Sequence, residues 1–484
     1  MMRKIGMVIA LCLWMFQVQA ELRLPRVFAD HMVLQRGQEI PVWGSADSRE
    51  RVTVSFQGKE YRVRADREGN WELKMDALSK GGPYTLTVTT RDESVTYENV
   101  MIGDVWLLGG QSNMEWALKN TNNGEDSIKT AKHPDIRLFE VGRNLSLEPI
   151  DDVPEAKWSV CSPETVENFS AIGYYFARRI QTDLDVPIGL LDINWGGTLS
   201  EAWTSPEALM SHEDFRERVV TNQTEGPKDF SDPEVRKPNL WPTSLYYGML
   251  EPVIPFAIKG ALWYQGESNA GRAYQYREIF PLLITDWRDK WGQGDFPFLW
   301  VQLANFRQPK DEPADSDWAE LREAQSMTLS LPNTGQAVII DKGEADDIHP
   351  RDKWTVGERL AKAAKKIAYG MDVVYSGPTF KSMEIQGDQI RISFDHIGSG
   401  LMVKDKYGYV KGFAVAGADK KFHWVKGFQD GNQIVLETGD IDDPVAVRYA
   451  WADNPDDVNL YNKEGLPANP FRTDEWQGIT YGKK

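Results

Sequence analysis

Apolar and polar positions fall into three textures along the chain. Over residues 21–99 short runs alternate in polarity, as in Arg51-Val52-Thr53-Val54-Ser55-Phe56 and Tyr84-Thr85-Leu86-Thr87-Val88-Thr89, with Gly58, Gly69 and Gly81-Gly82-Pro83 between them. A period of two broken by glycine and proline predicts half-buried strands, here spaced as in a small β-sandwich. Over residues 100–370 the runs become continuously apolar: Val105-Trp106-Leu107-Leu108, Ile188-Gly189-Leu190-Leu191-Asp192-Ile193 and Ala337-Val338-Ile339-Ile340. They alternate with helical segments, clearest over 171–184 and 356–369, the latter with Thr355 and Glu358 at capping-box spacing. That alternation predicts an α/β domain on a mostly parallel sheet. Past Gly370 strand texture returns in Ile390-Arg391-Ile392-Ser393-Phe394 and Ala446-Val447-Arg448-Tyr449-Ala450-Trp451. It predicts a C-terminal β-rich domain over 371–484, whose last segment packs back on the central domain.

Residues 1–20 stand apart. Met1-Met2-Arg3-Lys4 is basic, residues 5–16 are almost wholly apolar, and Val18-Gln19-Ala20 has the small-x-small pattern of a cleavage site. This predicts a signal peptide and an exported protein, periplasmic or secreted. No later run is long and apolar enough to predict a membrane span.

The 484 residues are 41% apolar with a formal net charge of −17; losing Arg3 and Lys4 with the leader makes it −19. Apolar content of this order supports large buried cores, and such an acidic chain without a basic block is not expected to bind nucleic acid. Losing Cys12 leaves Cys161 alone, so no internal disulfide can stabilise the mature chain. The oligomeric state has no signature in the sequence.

Chemistry concentrates in loops that follow the apolar strands, where α/β folds place their sites. Gly109-Gly110-Gln111-Ser112-Asn113-Met114-Glu115-Trp116 follows the first strand; paired glycines let the chain turn sharply and present a hydroxyl beside free backbone N–H groups. Asp346-Asp347-Ile348-His349-Pro350 puts an imidazole within reach of carboxylates that can fix its tautomer. Tyr264-Gln265-Gly266-Glu267-Ser268-Asn269 offers side-chain amides suited to an oxyanion hole, and Ser268 there imitates a nucleophile. None of the six histidines has zinc-ligand spacing, so a zinc enzyme is not expected, and chemistry carried by a serine, a histidine and a carboxylate requires no metal or organic cofactor.

These blocks, with Trp195-Gly196-Gly197-Thr198 and Glu201-Ala202-Trp203, resemble in order and content the sialate O-acetylesterases, carbohydrate esterases of the SGNH-hydrolase superfamily. The resemblance reaches both flanks, in Leu24-Pro25-Arg26-Val27-Phe28-Ala29-Asp30-His31-Met32 and in Asn469-Pro470-Phe471-Arg472-Thr473-Asp474. It implies a flavodoxin-like three-layer α/β/α catalytic domain between the two β-rich, sandwich-like domains. It also implies Ser112 as nucleophile and His349 as base, with Asp347 as the triad acid and Asp346 as the alternative. The implied oxyanion donors are the N–H groups of Ser112 and Gly197 and the side chain of Gln265, with Asn269 its rival. Trp116, Trp195, Trp203 and Glu267 lie beside the motifs and are substrate-binding candidates, since flat amphipathic rings suit sugar faces. Glu115, Glu201 and Glu267 also read as groups that position loops by bonding backbone N–H or arginine. The expected reaction is removal of O-acetyl groups from sugars through an acetyl-Ser112 intermediate. O-acetylated sialic acid is the first-choice substrate, acetylxylan or another plant polysaccharide the second. A glycoside hydrolase using glutamate pairs and a non-catalytic glycan-binding protein are the readings from other classes.

Overall fold

The computed structural model describes residues 21–484, apart from 228, 229, 231, 233, 234, 236 and 440. The leader over 1–20 lies outside the described residues. The organising strand is β1 (Ser94–Gly110), 17 residues long. Its first third alternates between exposed and partly covered positions, and from Val100 onward every residue is buried. The change marks where the strand leaves a sheet with one wet face and enters one covered on both. The texture break at residues 99 and 100 is therefore a point inside a continuous strand, with no linker.

On the N-terminal side of that point, β1 pairs antiparallel with Gly81–Thr89, which pairs with the hairpin Arg51–Phe56 and Lys59–Arg64. A second sheet, Ile40–Ser45 with Asn70–Met75, completes two sheets whose inward residues join one hydrophobic core with the central domain.

Beyond it, β1 lies in the middle of a seven-strand central sheet with β2 (His133–Val141), β3 (Ala156–Cys161), β4 (Ile188–Asn194), β5 (Gly260–Tyr264), β6 (Phe298–Val301) and β7 (Thr334–Ala337). The spatial order is β7-β6-β5-β1-β4-β2-β3, parallel except for β3. With β2 and β3 set aside as an addition on the β4 edge, the remaining five strands have the flavodoxin-like order 2-1-3-4-5. Helix α2 (Ala171–Leu184) packs against α5 (Lys353–Ile367), and α3 (Ala273–Trp291) against α4 (Asp317–Met327), giving the outer layers. Ser170 caps α2 by accepting from the Gly173 N–H at 3.2 Å. The capping prediction for the last helix needs correction. Asp352, not Thr355, accepts at the start of α5, bonding the Thr355 N–H at 3.0 Å, so the helix begins three residues earlier than its apolar pattern.

The run Ala337-Val338-Ile339-Ile340 is apolar throughout because it separates two cores. Ala337 and Ile339 belong to the main core, whereas Val338 and Ile340 belong to a second core with Ile390, Phe413, Ile434 and Val447. That second core fills a C-terminal pair of antiparallel sheets, one of five strands and one of four. The chain end returns to the central domain, where the N–H groups of Ile479 and Thr480 donate to Glu320 at 2.7 and 3.0 Å. Cys161 is buried, and burial pushes its thiol up to about 12, so it behaves as a small core residue. No helix among the described residues is long and apolar enough to cross a membrane.

Candidate active site

Three neighbouring strand ends build the floor of the site. Gly110 lies in register with Asn194 on one side and Tyr264 on the other. The N–H of Gln111 donates to the Tyr264 carbonyl at 2.9 Å, and that of Trp195 to the Gly110 carbonyl at 3.1 Å. Gly110 is required twice over. Its φ is +133°, and a Cβ would stand 2.2 Å from the Tyr264 carbonyl oxygen. One extended residue later the chain enters the short helix α1 (Ser112–Glu115), whose first N–H groups have no partner within the helix.

The Ser112 hydroxyl meets His349 across 237 residues of sequence: Oγ lies 2.9 Å from Nε2. The Asp347 Oδ1 accepts from the His349 backbone N–H at 2.9 Å and lies 3.3 Å from Nδ1. An aspartate on Nδ1 holds the tautomer that leaves Nε2 free to accept the serine proton. Asp346 faces elsewhere, its Oδ1 accepting from Gln308 at 2.5 Å. The Trp116 indole stacks on the imidazole, with centroids 4.8 Å apart and planes 15° from parallel. Burial, then the cation of Lys353, holds the His349 pKa below its ordinary value despite Asp347.

The second block packs directly against the nucleophile. A Cβ on Gly196 would stand 3.1 Å from the Ser112 Cβ, and the Gly196 N–H donates to Glu115 Oε2 at 2.8 Å. That bond places the next residue, Gly197, at φ +72° with open space beside it and no acceptor among the described residues for its N–H. Among the described residues, neither the Ser112 nor the Gly197 N–H has an acceptor.

The third block is placed differently. Gln265 is fully buried, and its amide N–H groups donate to the Thr198 carbonyl at 3.1 Å and to Asn269 Oδ1 at 2.7 Å. Its oxygen accepts from Ser200 and Tyr276. With both donors used, the expected Gln265 contribution to an oxyanion hole has no free hydrogen in this arrangement. Asn269 donates to Glu201 Oε2 at 2.9 Å and accepts from Gln265 and the Ser200 N–H. Both amides brace the second block from beneath.

Among the aromatic candidates, Trp116 borders the triad and Trp195 lies under the Arg143 guanidinium, 5.3 Å from its centroid. Trp203 requires correction as a substrate-facing ring. It is fully buried, its N–H donating to Thr198 Oγ1 at 3.0 Å, and belongs to the core. The glutamates bond as positioning groups. Glu115 pairs with Arg143 as well as Gly196, and Glu201 with Arg218 and Arg272 at 3.0 and 2.8 Å. Burial drives the Glu201 carboxyl up, but Arg272 and Asn269 outweigh it and hold its pKa below the ordinary range.

Glu267 reaches no open surface through its Oε2, which is buried without a hydrogen-bond partner; its Oε1 accepts from Asn113 at 2.6 Å. It is the start of a network that the residue patterns did not signal. Asn113 also donates to the Ile348 carbonyl at 3.1 Å, and its oxygen accepts from the buried ammonium of Lys353. Burial raises the Glu267 carboxyl pKa and lowers that of Lys353 to about 7. The network clamps residue 348, and with it His349, to the residue after Ser112. Asn113 adjoins the serine in sequence, a usable signal; nothing local marks Lys353 as buried. Among the described residues, no group of three or more His, Cys, Asp or Glu side chains is arranged to hold a metal.

The family model described as "Carbohydrate esterase, sialic acid-specific acetylesterase" matches residues 102–366, which span all four blocks. The chain is 31% identical to a sialate O-acetylesterase of Mus musculus, covering 91% of this chain and 92% of that one. It is 28% identical to that of Homo sapiens, covering 96% and 95%. Among solved structures, it is similar to a carbohydrate acetylesterase of Xanthomonas citri, with a TM-score of 0.86 and 42% identity over 94% of this chain and all of that one.

Proposed function

Because the chain belongs to the sialic acid-specific acetylesterase family of carbohydrate esterases and is a carboxylic ester hydrolase acting on acetylated sugars, we propose that it works through an acetyl-Ser112 intermediate. The observation that carries this reading is the 2.9 Å contact between Ser112 Oγ and His349 Nε2, with Asp347 on the far side of the ring.

Ser112 Oγ attacks the acetyl carbonyl carbon as its proton passes to His349 Nε2. The carbonyl oxygen becomes an oxyanion, stabilised by the unused N–H groups of Ser112 and Gly197. When the tetrahedral intermediate collapses, the C–O bond to the sugar breaks and His349 returns its proton to the leaving sugar oxygen. Water then gives a proton to His349 and attacks the acetyl-enzyme; collapse releases acetate and Ser112 regains its proton. Asp347 stays ionised and stabilises the imidazolium formed twice in the cycle. Trp116, stacked on the His349 ring, and Trp195, next to Gly196, are assigned to the sugar.

For the sugar, O-acetylated sialic acid is the first reading, supported by what the relatives are called. A neutral O-acetylated glycan is the second, favoured by charge. A sialate carboxylate needs an unneutralised cation, and Arg143, tied to the Ser112 turn through Glu115, is already paired. The leader over 1–20 adds export to the reading, placing the enzyme in the periplasm or outside the cell.

Acetate release from O-acetylated sialic acid and from acetylxylan, by wild type and Ser112→Ala, tests the proposal. Rapid quenching of the wild-type reaction, followed by mass spectrometry, should find acetyl on the Ser112 peptide. Undiminished release by Ser112→Ala would sink the mechanism, and release from one substrate alone would decide the sugar.

A further inference from the structure

The loop after β6 joins two parts of the molecule. At one end Gln308 bonds Asp346, the neighbour of Asp347. At the other, the Trp424 indole N–H of the C-terminal domain donates to the Asp311 carbonyl at 2.8 Å, and Ser316 Oγ donates to Asp453 Oδ1 at 2.5 Å. Arg307, next to Gln308, pairs with Asp453 at 3.1 Å. Between this loop and the C-terminal sheets lies a cavity of about 640 Å³, the size of a small-molecule site. None of Ser112, Asp347 or His349 lines it.

Its lining combines two kinds of group. Tyr409 and Trp424, on strands Tyr409–Val410 and Phe422–Trp424, leave 41% and 43% of their surface in water although a second core lies directly behind them. The bond to Asp311 fixes the Trp424 ring. Around them stand carboxylates, among them Asp456 and Asp457, which can accept hydrogen bonds from hydroxyls. A flat amphipathic ring beside carboxylate acceptors matches a pyranose, which is apolar on its C–H face and hydroxylated at its edge. Six carboxyl groups line the cavity against three lysines, so an anionic sugar is disfavoured.

We propose that this cavity is a carbohydrate subsite for a neutral oligosaccharide chain, holding residues distant from the acetylated one at Ser112. The inference rests on the esterase reading for its connection to catalysis, but binding can be measured without any ester. The loop carries the connection, because the segment that walls the cavity also touches the aspartate next to the triad.

Isothermal calorimetry of the wild-type protein with unacetylated xylohexaose and cellohexaose should show binding to at least one of them. Trp424→Ala and, independently, Tyr409→Ala should each weaken it about tenfold, whereas Trp424→Phe should retain most of it. Tyr409 serves as the second variant because its side chain does not hold the loop. The same two alanine variants should lower the ratio of kcat/KM on an acetylated xylo-oligosaccharide to that on an aryl acetate. Absence of binding to both hexasaccharides, retention of full affinity by both alanine variants, or preferential binding of an anionic sialylated oligosaccharide would each overturn the subsite. Failure to hydrolyse any acetyl ester, with hexasaccharide binding intact, would overturn the esterase mechanism and leave the subsite standing.

Discussion

One oxygen of Asp347 serves His349 twice: Oδ1 receives the backbone N–H at 2.9 Å and lies 3.3 Å from Nδ1 of the same residue. The first bond folds the Asp-Ile-His turn, and the second orients the ring. Asp346 has neither contact, being held by Gln308. Asp347→Asn should therefore reduce kcat by about 10³- to 10⁴-fold, through loss of the correct tautomer and of the charge facing the imidazolium. Asp346→Asn should change kcat by less than about tenfold, acting through the Gln308 loop. Steady-state rates on one acetylated substrate compare the two.

His349 must be neutral to accept the serine proton, and its pKa is held below the ordinary histidine value of 6.5, first by burial and then by Lys353. The acid limb of kcat/KM should thus fall below pH 6.5. In Lys353→Met the cation is gone, the histidine pKa rises, and the limb should move to higher pH alongside a loss of rate from the broken Asn113 clamp. A pH profile separates this from simple loosening, which would lower the plateau without moving the limb.

The same lysine makes a stability prediction. Its folded pKa of about 7 is depressed from 10.5, so between those values the unfolded chain holds a proton that the folded chain lacks. The wild type should gain stability as pH rises through this window, relative to Lys353→Met. Urea unfolding at several pH values from 7 to 10 checks the sign.

Trp116 covers one face of the imidazole. An aromatic contact of this kind is worth about 1 kcal/mol, so Trp116→Ala should lower kcat by up to about tenfold if the ring holds the histidine in place. Stopped assays on a small aryl acetate, which does not engage the sugar side, isolate that effect from substrate binding.

Arg322, fully buried in α4, donates to the carbonyls of Leu303, Ala304, Ala452 and Asp453 at 2.7–3.0 Å and so joins the central and C-terminal domains. Burial lowers its pKa to about 9. Arg322→Met would strand these buried carbonyls and should cost about 3 kcal/mol or more. Differential scanning calorimetry should show the loss as a lower Tm.

The local sequence determines much of this protein. Period-two and continuous apolar runs identify the strands, and glycine pairs identify where those strands end. Gly110 could be read as a site glycine because paired glycines before a serine permit a sharp turn, whereas Gly197 came from the family resemblance. Residue types and settings make Ser112 and His349 candidates, and it is the family resemblance of the four blocks that implies their pairing as nucleophile and base. What required the tertiary structure is hydrogen-bond valence across separate strands. Gln265 looks like a free donor until Thr198 and Asn269 occupy both its N–H groups, and Trp203 looks like a sugar platform until the core closes over it. Asp346 and Asp347 are chemically identical neighbours, and the fold separates them by setting Asp347 against His349 and bringing Gln308, from the loop after β6, to Asp346. Lys353 carries no local mark of burial; the fold encloses it by bringing Asn113 and Glu267 from the turns that follow β1 and β5. Side-chain type and spacing are encoded locally. Whether a given polar atom remains free for chemistry depends on partners that the fold brings from far along the chain.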